Sequence, residues 1–339
     1  MPRHFAADSR DLDACRALLR GGSRSFFAAS LLLPGRVRRP ATALYAFCRE
    51  ADDAIDLGTD PQAALTALNE RLDAAYAGNP APNPVDRAFA ETIAAFAIPK
   101  ALPAALIEGL AWDTQGRRYE NFDQLLDYAA RVAGAVGVMM ALVMGVRDAA
   151  ALSRAADLGV AMQLTNIARD VGEDATAGRL FLPLDWMAEA GLDPEPFLGD
   201  PQYTPAIAGL VARLLGEAEM LYNRSRAGIP RLPLDCRIGI AAARRIYSGI
   251  GDKLAQARHD SITRRARVSG REKLSLALRG MADMFAWSAS AQPALAANQF
   301  LVTSAASEPV IESSGVTKLL LLFERLERNQ REAAERITA

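Results

Sequence analysis

The chain is poor in the residues from which most catalytic triads and metal cages are built. It has two histidines, His4 and His259, among 339 residues. That argues against a histidine metal cage or a histidine base, and neither histidine stands in a motif that could serve a nucleophilic triad. Three cysteines, Cys15, Cys48 and Cys236, lie far apart with no CxxC spacing. That argues against a disulfide framework or a zinc site and fits a reducing cytoplasm. Neither sign of charge is in excess: 39 basic and 40 acidic residues leave a net charge of -1. There is no electrostatic footprint for nucleic acid, and any anionic partner must be held locally. Glycine-rich loops of the P-loop or GxGxxG kind are absent. So are extended alternating strand patterns and repeats of roughly 20 to 50 residues.

Long hydrophobic runs are lacking too. The N-terminal MPRHFAADSRDLDAC has no apolar h-region, so no signal peptide is expected. The longest nearly uncharged run, 132–146, carries Gly134, Gly137 and Gly145 and is shorter than the roughly 20 residues a spanning helix needs. It reads as the core helix of a soluble or peripheral protein.

What is present is helical periodicity, with half of all residues hydrophobic, enough for a sizeable core. Asp8 or Ser9 can cap RDLDACRALLR, which stops at Gly21-Gly22, the expected chemistry of a helix start and end. Arg36, Arg38 and Arg39 lead from the Pro34-Gly35 break into a helix that ends near Gly58. PQAALTALNERLDAAYAG, ALIEGLAWDTQGRRY and the run beginning at Phe122 continue the pattern, followed by helices over 205–227, 237–256 and 272–288. The expected fold is all-α, with 1–290 as a single helical domain. Residues 291–314 turn to Ala, Ser, Gln and Pro and read as a loose connector. The tail GVTKLLLLFERLERNQREAAERI completes 291–339 as an amphipathic helix that docks on the body, pairs with another chain or lies on a membrane surface.

Two stretches carry chemistry. In ALYAFCREADDAID, Tyr45, Arg49, Asp52 and Asp56 fall on one helical stripe with Asp53 at its margin, and in QLTNIARDVGED, Gln163, Asn166, Asp170 and Asp174 do the same. One DxxxD pair ordinarily means a solvated helix face. Two pairs, each with an arginine on its own helix (Arg49, Arg169) and embedded in apolar residues, point to a site. Buried carboxylates without partners carry a desolvation cost of several kcal/mol each, so a cation belongs between them. Hard oxygen donors suit Mg²⁺ or Mn²⁺, and Mg²⁺ completes its shell with substrate phosphate. A competing account makes Arg49 and Arg169 mere salt-bridge partners; it leaves Gln163, Asn166 and the hydroxyls at Ser23 and Ser25 unexplained. The chemistry that remains is metal-assisted departure of a diphosphate from a carbon chain inside an apolar helical barrel. Ala133, Gly134, Ala135 and Gly137 leave two meanings open, tight helix packing or a channel wall cleared for a ligand.

The ordered motifs SRSFFAASLLLP, ALYAFCREADDAID, RYENFDQLLDYAARVAGAVGVMM, LGVAMQLTNIARDVGEDATAGRLFLP and TRRARVSGREKL resemble the squalene/phytoene synthase family, its bacterial phytoene-forming branch most. The resemblance runs from about Ala14 to Leu278. It implies the type I isoprenoid synthase fold, a single-domain helical bundle around a central cavity. It also implies a prenyltransferase that joins two geranylgeranyl diphosphates head to head, through prephytoene diphosphate, to phytoene, the first committed step of carotenoid biosynthesis. The sibling reaction on farnesyl diphosphate (squalene, dehydrosqualene or hydroxysqualene synthase) is the alternative, with a non-catalytic helical assembly protein a distant one. Residue by residue, the resemblance makes Asp52, Asp53, Asp56, Asn166, Asp170 and Asp174 metal ligands for roughly two or three Mg²⁺ or Mn²⁺ ions shared with substrate. It assigns Ser23, Ser25, Tyr45, Arg49, Gln163, Arg169, Tyr247 and Arg265 to diphosphate binding and ionisation. Phe26, Tyr128, Val132, Val136, Gly137 and Met140 line the prenyl channels, with Met139 and Met140 expected at their floor. No NADPH is implied. Phe181 and Ile262 depart from the family, which often has tyrosine at the first position and an aromatic at the second. An insoluble C40 product implies peripheral association with the inner face of the cell membrane, with 318–326 as one candidate contact, and contact with a downstream carotenoid desaturase.

Overall fold

The computed structural model describes residues 5–56, 60–282 and 292–306. They form fifteen α-helices: α1 Ser9–Gly22, α2 Arg24–Ser30, α3 Gly35–Asp56, α4 Pro61–Tyr76, α5 Pro84–Ala95, α6 Ala101–Thr114, α7 Phe122–Ala129, α8 Ala135–Val143, α9 Ala149–Thr176, α10 Leu184–Glu189, α11 Pro194–Gly199, α12 Pro205–Arg226, α13 Leu234–Gln256, α14 Gly270–Gly280 and α15 Gln299–Ala305. No strand occurs among the described residues. Local chemistry sets most of the starts. Asp8, Ser23, Asp60, Asn83, Asn121, Asp148, Thr204 and Ser269 each accept an amide of the first helical turn, which satisfies donors that have no partner inside the helix.

The 28-residue α9 is the axis. Helices α8, α12, α13 and α15 pack on it, and Ala156, Val160, Ala161, Leu164 and Ala168 are fully buried there. Helices α7 and α8 are one continuous rod interrupted by a π-helical turn, Ala130–Gly134. This rod crosses α9 at backbone contact distance. A Cβ at Gly137 would lie 2.2 Å from the Ala155 carbonyl oxygen, and one at Gly159 would lie 2.2 Å from that of Ala133. The small residues of this stretch therefore serve helix packing. Gly137 owes its lack of a side chain to that crossing, and it stays partly accessible beside Val136.

Several expectations change. Helix α3 already begins at Gly35, so Arg36, Arg38 and Arg39 lie inside it rather than ahead of it. The helical run Phe122–Val143 is, by length and composition, apolar enough to cross a membrane; the run 132–146 understated it, because the helix extends back through more polar residues. With 61% of its apolar window buried inside the protein, it is a core helix. Residues 292–306 are no loose connector: Asn298, Leu301, Val302 and Ala305 are buried, and α15 packs on α6, α8 and α9. A buried polar knot holds this segment, Arg154 and Arg224 binding both Asp157 and the Pro293 carbonyl while Asn298 donates to Asp157. Short apolar side chains scattered among Ala and Gln hid the docking. The first compact unit runs to Ala306, so the expected boundary at 290 falls within it. The tail helix, 283–288 and the end of the first aspartate helix near Gly58 lie outside the described residues.

Gly159→Val places two methyl groups against a backbone that cannot withdraw. It is expected to lower stability by about 3 kcal/mol, measured by urea unfolding; a loss below about 0.5 kcal/mol would contradict the close crossing.

Candidate active site

The two aspartate stripes face one another, and a third element closes the gap between them. Helix α9 ends at Gly178, whose φ of 74° is left-handed. The Gly178 amide donates to Ala175 O and the Arg179 amide to Asp174 O, the paired bonds of a Schellman end. That turn folds Arg179 back along the helix. Its Nη1 donates to Asp56 Oδ1 at 3.0 Å and its Nη2 to Asp174 Oδ1 at 3.4 Å. One guanidinium thus joins the last aspartate of α3 to the last aspartate of α9.

Each stripe also carries its own cation. Arg49 donates through Nε to Asp53 Oδ2 at 3.0 Å and through Nη1 to Asp52 Oδ2 at 3.2 Å. Arg169 Nε donates to Asp170 Oδ1 at 2.7 Å. Arg265 reaches the same carboxylate from the loop after α13, at 2.9 and 3.0 Å, and Glu173 at 2.9 Å. That loop is rigidly seated. Arg258 and His259 have left-handed φ, Asp260 accepts the Ile262 and Thr263 amides, and the Gly172 amide donates to Ser261 O at 3.1 Å. A Cβ at Gly172 would meet Ile262 Cα at 2.8 Å, so Ile262 lies against the helix that carries the second stripe.

The charges do not balance. Asp52, Asp53, Asp56, Asp113, Asp170, Glu173 and Asp174 share four guanidiniums, those of Arg49, Arg169, Arg179 and Arg265. Burial, together with neighbouring Asp56, pushes the Asp52 carboxyl up to about 6. Burial pushes Asp174 up to about 6, against the pull of Arg179 and with the push of Asp170. Among the described residues no three acidic, cysteine or histidine side chains close into a cage that would hold a metal alone. The donor set is nevertheless all hard oxygen and short of positive charge, which fits divalent cations that take one or two carboxylates and fill the shell from a phosphate. Asp52, Asp56, Asn166, Asp170 and Asp174 are the side chains available to hold them; Asp53, turned to Arg49, is at the margin as its stripe position implies.

Hydroxyls and aromatics complete the surroundings. Ser23 caps α2 by accepting the Phe26 amide at 3.2 Å and lies 3.4 Å from the Tyr247 hydroxyl. Phe26 stacks on Tyr45 with centroids 5.3 Å apart, and Gly22 leaves room for the Tyr45 hydroxyl, 2.4 Å from where its Cβ would be. Asn166 Nδ2 is 3.5 Å from Gln163 Oε1, and Ser25 is partly buried on α2. Val132 and Val136 stay partly accessible, Met140 is nearly closed off and Met139 is fully buried. Met139 therefore belongs to the core, not to a channel floor.

Asp113, Tyr119 and Arg179 had no place in the expected site. Asp113 accepts the Tyr128 hydroxyl at 2.9 Å. Burial pushes its carboxyl up to about 7, with the Tyr128 hydrogen bond and Arg179 opposing and Asp52 and Asp56 adding to the rise. Tyr119, Tyr128 and Phe181 form an aromatic trio with centroids 5.3–6.2 Å apart. Arg179 Nε is buried without a hydrogen-bond partner, a donor left over for an anion. The visible sign of Asp113 was an aspartate inside the apolar helix ALIEGLAWDT; that of Arg179 was its position directly after a helix-ending glycine.

Opposed carboxylate stripes on two long helices, arginines beside them and a helical bundle without strands define an enzyme of the all-helical isoprenoid synthase fold, a prenyltransferase acting on prenyl diphosphates. The squalene/phytoene synthase family model matches residues 19–272, and the chain belongs to that family. It is 55% identical over 276 residues to a phytoene synthase of Cereibacter sphaeroides, covering 78% of each chain, and 41% identical over 268 residues to a 15-cis-phytoene synthase of Pantoea ananas, covering 76% of this chain and 86% of that one. Among solved structures, a dehydrosqualene synthase in complex with ligand superposes with a TM-score of 0.73 at 31% identity, covering 80% of this chain and 96% of the other. A squalene synthase from Alicyclobacillus acidocaldarius gives 0.68 at 26% identity, with 74% and 95% covered.

Asp113 supplies a test of the site's charge imbalance. Its folded value of about 7 exceeds the ordinary 3.8, so the folded state binds the extra proton between these values and stability falls as pH rises through that window. Asp52 and Asp174 act in the same direction. In chelator, Asp113→Asn, which can still accept the Tyr128 hydroxyl, is expected to exceed the parent by about 2 kcal/mol at pH 8 and to lose most of that advantage by about pH 4. Urea midpoints at the two pH values measure this; equal pH slopes would contradict it.

Proposed function

We propose that this protein condenses two geranylgeranyl diphosphates head to head to phytoene, through the cyclopropyl intermediate prephytoene diphosphate, each of the two steps releasing one diphosphate and one proton. The observation that carries the proposal is the pair of facing aspartate stripes, tied by Arg179 at the rim of an apolar helical interior. Identity of 55% to phytoene synthases, against 31% to a dehydrosqualene synthase, favours the C20 substrate over the farnesyl alternative.

When bound, Mg²⁺ or Mn²⁺ would compensate the charge that grows on the departing diphosphate. The chain's own side chains do the remainder. Arg49, Arg169, Arg179 and Arg265, drawn to carboxylates here, present planar donors matched to phosphate oxygens. Ser23 and Tyr247 add hydroxyl donors. Phe26, Tyr45 and Tyr128 are the aromatic rings that would stabilise a carbocation through their π faces, and Val132, Val136 and Met140 the apolar side chains that would keep water from it. With neither histidine in a catalytic motif, the released diphosphate is the group that takes the final proton, and no nicotinamide enters the balance. The proposal extends to a cytoplasmic protein peripheral to the inner face of the cell membrane, where an insoluble hydrocarbon passes to a desaturase.

Purified protein supplied separately with the C20 and C15 diphosphates and Mg²⁺ is expected to give phytoene by chromatography and little C30 product; turnover of the C15 substrate alone would overturn the proposal. Asp170→Asn is expected to fold normally by circular dichroism and to lose at least roughly a hundredfold in turnover, while parent-like activity would remove Asp170 from the site.

A further inference from the structure

Away from the aspartates, exposed apolar side chains collect where α2 and α14 meet α13. Gly280, at the end of α14, is so close to α13 that a Cβ would lie 2.9 Å from the Ala241 carbonyl oxygen, and Leu33, just past α2, lies over Gly239. The two helices therefore converge on the same short step of α13. Within α14, Leu276 packs on Gly249 of α13 and Gly280 on Ala241. At 3.6 residues per turn, Leu274, Leu278 and Met281 lie on the opposite side and face outward; they are 65%, 59% and 45% exposed. Leu31 and Leu32, at the end of α2, add side chains 54% and 38% exposed. Soluble monomers seldom leave so many large apolar side chains gathered without a partner.

The exposed charges on and directly before α14 are mostly basic, and Arg38 follows the exposed leucines at the end of α2 in the chain. Arg38, Arg267, Arg271 and Arg279 are exposed, and none makes an ion pair among the described residues. Glu272, the acidic residue of α14, is already held by Lys253. An apolar stripe edged by cations of one sign is complementary to lipid chains beneath anionic headgroups, whereas a second copy of the chain would bring its own arginines against these. Short connections tie the surface to the diphosphate site: Ser23 caps α2, and the loop that sets Arg265 on Asp170 runs directly into α14.

The geometry points to the outer stripe of α14, with the end of α2, as the face on which this protein seats itself on an anionic bilayer. It rests on the proposed function only in that an insoluble product gives the enzyme reason to work there. Leu274, Leu278 and Met281 enter the interface and the arginines contact headgroups, so attraction weakens with salt.

The test is sedimentation of the full chain with vesicles of equal parts phosphatidylglycerol and phosphatidylcholine, against vesicles of phosphatidylcholine alone. The parent is expected to bind the anionic vesicles, less so in high salt. Leu274→Asp/Leu278→Asp is expected to lower binding at least about tenfold and Arg271→Glu/Arg279→Glu severalfold, both with unchanged turnover of detergent-dispersed substrate. Parent-like binding by the leucine variant overturns the inference. So does loss of binding confined to a tail variant, Leu320→Asp/Leu321→Asp, or a parent dimer that the leucine variant converts to monomer. Vesicle binding as stated by a protein that forms no phytoene would overturn the proposed function and leave the docking face standing.

Discussion

Everything in this bundle is arranged around carboxylates that repel one another. Helices α3 and α9 bring Asp52, Asp56, Asp170 and Asp174 into a partly desolvated space, and Asp113 adds another buried acid. Such a group holds together only with cations among its members. Arg49 and Arg169 come from the same helices, Arg265 from a loop pinned to Gly172, and Arg179 from the turn that ends α9. The salt-bridge account of these arginines and the metal-site account are thus compatible. The guanidiniums compensate part of the charge, and the deficit that remains is what a divalent cation and its phosphate can fill.

Packing elsewhere keeps this arrangement in register. The reciprocal approach of Gly137 to Ala155 and of Gly159 to Ala133 fixes the rod bearing Tyr128, Val132 and Val136 against the helix bearing the second aspartate stripe. Segment 292–306, held by buried Arg154, Asp157 and Asn298 and by partly buried Arg224, backs the same crossing: Asn298 and Leu301 are the nearest neighbours of Gly134 in the π turn. A π turn is retained where surrounding contacts demand it, and such turns recur at functional sites. Tyr119, Tyr128 and Phe181 then occupy the side of the site where the family often has a tyrosine in place of Phe181. Phe181 contributes a stacked ring without a hydroxyl at that position, beside the two tyrosines.

Much of this was legible in the residues. The capping chemistry at Asp8 and the 3.6-residue period located helices such as α1, α4 and α12, because those signals act within a few turns. The aspartate stripes were legible for the same reason. What was not legible depended on distant partners. Gly137 could mean an open wall or a close crossing, and the crossing shows only through Ala155 on another helix. Asp113 resembled an ordinary helical aspartate until burial and Tyr128 were placed around it, and Arg179 looked like a loop residue until the left-handed turn at Gly178 returned it to Asp174. Segment 292–306 lacked a strong periodic pattern and docks through an ion network that no local window contains.

The central claim is that the stripes, with their arginines, form one site for a metal and a diphosphate together. Thermal unfolding of the full chain with Mg²⁺, with a non-ionisable thiolo analogue of geranylgeranyl diphosphate, and with both, addresses it most directly. The account predicts a shift with both ligands that clearly exceeds the sum of the separate shifts and disappears in Asp56→Asn/Asp174→Asn. A full shift from the analogue without Mg²⁺, unchanged in that double variant, would contradict it.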